Sequence, residues 1–148
     1  INRRLRCRRP QPGYAGGYPP ITNKKHYTCR RMNKRMMADN PLIRKTSKRG
    51  RCGRHYYKGA MVIDPNPKPD IDYHFYRQDM PTPQGHLWSH KQGKGNIKNY
   101  DASGNLITDP IKADRNYSKD EDKTSDKYNY EIFCGYFSVP YNGGPFYR

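Results

Sequence analysis

Three apolar runs decide the fold: Ala60-Met61-Val62-Ile63, Tyr73-His74-Phe75-Tyr76-Arg77 and His86-Leu87-Trp88-Ser89-His90. The first is short, β-branched at its end and closed by Asp64-Pro65-Asn66-Pro67, a combination that suits a buried strand rather than a helix. The second alternates polar and apolar residues and reads as another strand. Pro81-Thr82-Pro83-Gln84-Gly85 separates it from the third run and predicts a hairpin. Farther along, Tyr130 to Val139 is apolar on both faces, which predicts an interior strand of the same sheet.

Upstream of these runs lies one convincing helix. Thr28 is a natural N-cap, and Cys29, Met32, Met36 and Met37 fall on one helical stripe that would face the core. Pro41 disfavours helical backbone at Asn40, so the helix is predicted to end near Ala38 or Asp39. Asp109-Pro110 has the form of a cap followed by proline at the first helical position, and predicts a short helix over 110–115. Residues 44–58, rich in Arg and Lys and broken by Gly50 and Gly53, read as a basic loop. The fold class expected is α+β: a small antiparallel sheet packed with one main helix and flanked by extended N- and C-terminal arms. Residues 1–26 would be a basic Tyr/Pro/Gly arm, 27–139 a single α+β domain and 140–148 an aromatic C-terminal arm. Proline removes donors and glycine raises chain entropy, so Pro10 to Pro20 should form neither helix nor sheet.

Charge is distributed unevenly. Residues 1–63 hold 18 Lys or Arg and a single acid, Asp39, whereas residues 64–148 hold 11 basic and 12 acidic residues. A block this one-sided repels itself when folded alone and calls for an anionic neighbour. Arg3, Arg4, Arg6, Arg8 and Arg9, then Arg30, Arg31, Lys34 and Arg35, are the expected contacts, because the guanidinium fork pairs bidentately with carboxylate or phosphate. Tyr14, Tyr18, Phe146 and Tyr147 are the expected aromatic anchors. No apolar run approaches the roughly 18 residues of a spanning helix, so no transmembrane segment is expected. The chain starts at Ile1, as a processed or partial product would.

Catalytic constellations are weak. Cys29 at a helix N-terminus would have a lowered thiol pKa, and His74 could serve as its base with His90 or an acid orienting it; against this, Cys29 shares the methionine stripe. Cys52 and His55 have the spacing of half a zinc site that His26, Cys29 or His74 could complete, but the paired pattern with two close thiols is absent. No cofactor is expected. His86, Trp88 and His90 read as an exposed aromatic face of the hairpin, or as a surface for a base or sugar. The four cysteines, at 7, 29, 52 and 134, are expected to be reduced.

Several segments together resemble a family from giant double-stranded DNA viruses of algae and amoebae, with bacterial relatives. They are Pro10-Gln11-Pro12-Gly13-Tyr14, Asp39-Asn40-Pro41, Tyr57 to Asp64, Tyr73 to Asp79, Trp88-Ser89-His90-Lys91, Asp101-Ala102-Ser103-Gly104, Asp109-Pro110 and Phe133-Cys134-Gly135-Tyr136-Phe137. The resemblance implies a virion structural component of the minor capsid or cement type. Its partners would be acidic capsid subunits, the inner membrane or the genome, and its location the virion, assembled in the host cytoplasm. The family's alternative implication is a papain-like cysteine amidase or peptidase, with the nucleophile upstream of Ile1 or degenerate.

Overall fold

Each apolar run becomes a strand, and each strand is longer than its run. The computed structural model describes residues 11–66, 72–93, 95–119 and 128–141. Its strands are β1 (Arg44–Thr46), β2 (Tyr56–Ile63), β3 (Tyr73–Thr82), β4 (Gly85–Lys91), β5 (Ile97–Lys98) and β6 (Ile132–Pro140). They form one antiparallel sheet in the order β1-β6-β2-β3-β4-β5. With the helix α1 (Cys29–Asp39) packed on one face, the fold is α+β. The basic loop predicted over 44–58 is shorter than expected, because Arg44–Thr46 pairs with β6 and Tyr56 already opens β2.

The helix forms as its sequence dictates. Thr28 Oγ1 accepts from the Arg31 amide at 3.4 Å, and the Asn40 amide closes the last turn on the Met36 carbonyl. Met32 and Met36 are buried against Met61, Ile63, Tyr73 and Phe137. Burying each of these side chains contributes about 1.5–3 kcal/mol. The same face carries a staple that the spacing did not disclose: Cys29 and Cys134 form a disulfide, Cα to Cα 5.0 Å, across 105 residues of sequence. The expectation of reduced thiols is therefore wrong for this pair. Strict alternation would point Cys134 to the side of Tyr136, away from α1. A β-bulge opposite Met61 and Val62, with Gly135 at φ 126°, leaves Cys134 without a partner on β2 and turns it towards the helix.

Among the described residues, the opposite face of the sheet is covered by irregular chain and the 3-10 turn Tyr117–Lys119 rather than by a second α-helix. Ala60, Val62, Tyr76, Trp88 and Tyr136 pack there against Ile107, Tyr117 and Tyr130. The helix predicted over 110–115 is reduced to one turn. Asp109 does cap it, accepting from the Ile111 amide, and the amides of Lys112 and Ala113 reach the Asp109 carbonyl. A second turn would need the carbonyls of Pro110 and Ile111, but the Arg115 guanidinium takes both. The Asp114 amide goes instead to the Asp101 carboxylate. Arg115 also donates to the carbonyls of Tyr130 and Glu131, tying the covering layer to the start of β6.

Residues 11–23 carry neither helix nor strand, as their prolines and glycines predict, and the surface they lie on is the chain's own helix. The Asp39 carboxylate accepts from the amides of Gly13 (2.5 Å) and Gly16 (2.8 Å). Gly13 sits at φ 97°, and a Cβ there would stand 2.9 Å from Arg35 Cβ, so only glycine lets the loop approach. Gln11 closes the segment on itself through both the amide and the carbonyl of Ile21.

Candidate anion-binding surface

Helical spacing puts Arg30, Arg31 and Lys34 on the outer side of α1, where all three are exposed. Arg35 behaves differently. It is 6 % exposed, donates from Nε to the Pro12 carbonyl and from Nη2 to the Pro19 carbonyl, and lies over the Tyr18 ring at 5.2 Å. Its guanidinium fork is occupied within the molecule, which removes Arg35 from the contact residues and makes Tyr18 an internal partner. Tyr14, at the tip of the same loop, is 71 % exposed. Arg3, Arg4, Arg6, Arg8, Arg9, Phe146 and Tyr147 lie outside the described residues.

More cations adjoin β6 on its other side. Arg44 and Lys45 on the edge strand β1 are exposed, as are Arg49, Arg51 and Arg54 in the loop that follows. Among the described residues none of these, nor Arg30, Arg31 or Lys34, makes an ion pair. Asp39, the single acid of the first 63 residues, is directed at backbone amides and neutralises none of them. Lys48 is the exception: its ammonium meets Asp109 at 2.6 Å. Burial by itself would push the Asp109 carboxyl up; the bonds from Lys48, Tyr136 and the Ile111 amide outweigh it and hold it below its ordinary value. Lys58 is buried and donates to the Lys48 carbonyl, which positions that pair.

His90, expected at the surface, is in the core beside His74. A one-residue bulge between Gln78 and Pro81 shifts the β3–β4 register so that His90 faces Tyr76. His74 and His90 then meet, Nε2 to Nδ1 at 2.9 Å, while His90 Nε2 lies 2.9 Å from the Tyr100 carbonyl. A carbonyl only accepts, so His90 carries its proton on Nε2, and its Nδ1 accepts from His74 Nε2. His74 stacks on Tyr130 at 5.2 Å, and the Tyr130 hydroxyl donates to Asp72. His90 is held below its ordinary pKa, first by burial, and burial also pushes the neighbouring Tyr117 up to about 12. Trp88 is 2 % exposed, so the proposed aromatic face of the hairpin is interior; His86 alone of that series is exposed.

This arrangement dismantles the thiol–imidazole candidate. Cys29 is oxidised, on the α1 face, while His74 and His90 belong to the opposite face with the whole sheet between. A disulfide sulfur has no thiolate to attack with. Cys52 is a free, half-buried thiol and His55 is exposed; among the described residues no group of three His, Cys, Asp or Glu side chains could hold a metal ion. Among the described residues, no helix is long and apolar enough to cross a membrane.

Part of the chain is similar to a known matrix protein. Forty-seven residues are 49% identical to insoluble matrix shell protein 1 of Ruditapes philippinarum, covering 32% of this chain and 29% of that protein. The match thus spans less than a third of that relative's own length. No family model matches the chain, and no solved structure matches it significantly. The two bulges and the disulfide are what sequence reasoning missed. Gly135 beside Cys134 and the Met80-Pro81 step were the available signals, since glycine and proline inside strands mark irregularities.

Proposed function

We propose that this chain is a structural assembly protein that docks onto an acidic protein partner through the cationic surface of α1, β1 and the loop after β1. One observation carries the reading: the only acid of the first 63 residues is turned to backbone amides, and among the described residues the eight exposed cations of α1, β1 and the loop after β1 make no ion pair. Exposed cations of this kind gain most when a partner supplies the missing charge. Two further points favour assembly over catalysis. The candidate nucleophile is tied up in a disulfide that suits an oxidising setting or a particle surface. The similar Ruditapes philippinarum protein is named as an insoluble matrix shell protein. In the setting implied by the giant-virus resemblance, the partner is an acidic capsid subunit.

The test is calorimetric titration of the oxidised protein with poly-aspartate. Affinity should fall steeply between about 50 and about 200 mM salt, as screening and counterion exchange require. The triple variant Arg30→Glu, Arg31→Glu, Lys34→Glu should bind at least about tenfold more weakly. Salt-insensitive binding, or an unchanged affinity in the triple variant, overturns the reading. Tighter binding to duplex DNA than to poly-aspartate reassigns the surface to nucleic acid.

A further inference from the structure

The helix covers only part of its face of the sheet. Beyond Met36 and Ile43 a trough of about 380 Å³ opens over β2, β3 and β4, at the lower end of the roughly 300–1,000 Å³ typical of ligand sites. Its depth comes from Gly59, a side-chain-free position in the middle of β2 with Val139 and Phe75 beside it. Phe75 is 40% exposed and Ile97, on the far rim, 74% exposed, so the apolar lining is open to a partner.

One charged group is set into this lining. The Arg77 guanidinium carbon lies 4.9 Å from the Tyr57 ring centre and 5.6 Å from that of Tyr141, so two rings hold its plane. Arg77 makes no ion pair among the described residues: the carboxylate two positions along, Asp79, accepts from Ser89 Oγ instead. Lys91, exposed on β4, adds a second cation to the trough. A fork held in place in this way loses less freedom on pairing with a carboxylate than a mobile one does.

We propose that the trough seats an acidic peptide segment of the assembly partner, with an apolar side chain on Phe75 and Ile97 and an adjoining carboxylate paired bidentately with Arg77. The proposal rests on the acidic-partner reading and names the part of the partner that is recognised. Charge complementarity calls for an anionic occupant, and the apolar rim of Phe75 and Ile97 beside Arg77 matches a polypeptide, which carries apolar and acidic side chains together, better than an acidic polysaccharide.

Fluorescence anisotropy of the full oxidised chain with a labelled hexapeptide of alternating Asp and Leu tests this, an all-Asp hexapeptide being the control. The alternating peptide should bind more tightly than the control. Arg77→Ala and Ile97→Glu, both at exposed positions, should each weaken it about tenfold or more, as loss of a charge-assisted pair or of the apolar rim predicts. Unchanged binding in both variants overturns the trough, even if the Arg30/Arg31/Lys34 variant still abolishes poly-aspartate binding. If instead only the trough variants matter, the trough stands and the helix surface falls. Displacement of the peptide by heparin in an Arg77-dependent manner gives the site to a polysaccharide, and Arg77-dependent self-association gives it to a second copy; either result refutes the peptide.

Discussion

Removing the Cys29–Cys134 disulfide should cost this protein a large part of its stability. The bond closes a loop across 105 residues, and a cross-link of that length removes about 4.7 kcal/mol of loop-closure entropy from the unfolded chain at 25 °C. Against a typical total of about 5–15 kcal/mol, that is enough to decide whether the domain is folded. The native state should change little, because Met32, Met36 and the Asn33 bond to the Cys134 carbonyl hold α1 on β6 independently. The assay is urea denaturation of the oxidised protein, the reduced protein and the double variant Cys29→Ala, Cys134→Ala, followed by circular dichroism. Reduction and the double variant should lower the midpoint alike. The thermal midpoint should fall by roughly 10–20 °C, taking about 2–4 °C per kcal/mol for a chain of this size. Cys52→Ala is the control and should do nothing comparable. Coincident transitions for oxidised and reduced protein would refute the reasoning, since the loop-closure contribution cannot vanish if the bond exists.

Asp39→Ala should destabilise by about 1–3 kcal/mol, because the amides of Gly13 and Gly16 lose their acceptor. Limited proteolysis should then cut within residues 11–20 while the sheet persists; protection equal to the parent protein would count against the pinned loop. His90 supplies a pH dependence. Burial, with Lys98 adding to it, lowers its folded pKa below the 6.5 of the unfolded chain, so the unfolded state binds more protons. Stability should be full above about pH 6.5 and decline as the pH falls through that value, until the folded imidazole also protonates. His90→Gln keeps a donor for the Tyr100 carbonyl and should flatten this slope in denaturation curves at pH 7 and pH 5. An unchanged slope would exclude His90 as its source.

Local chemistry alone determined a good deal of this molecule. Thr28 and Pro41 bound the helix because capping and the pre-proline restriction act over one turn, and the alternation of Tyr73 to Arg77 made a strand because its period does not depend on distant residues. The excess of cations over one acid was equally legible, since charge is a property of composition. Tertiary structure decided which of those residues meet. Two bulges, each a single extra residue, turned Cys134 towards Cys29 and His90 towards His74, and a one-residue slip exchanges the faces of everything beyond it. Arg35 and Arg31 are both arginines on one helix; only the carbonyls of Pro12 and Pro19, brought there by the folded loop, withdrew the first and left the second for a partner. Periodicity says that a side chain has a face, but what stands opposite that face is fixed by long-range packing, which short-range pattern does not encode.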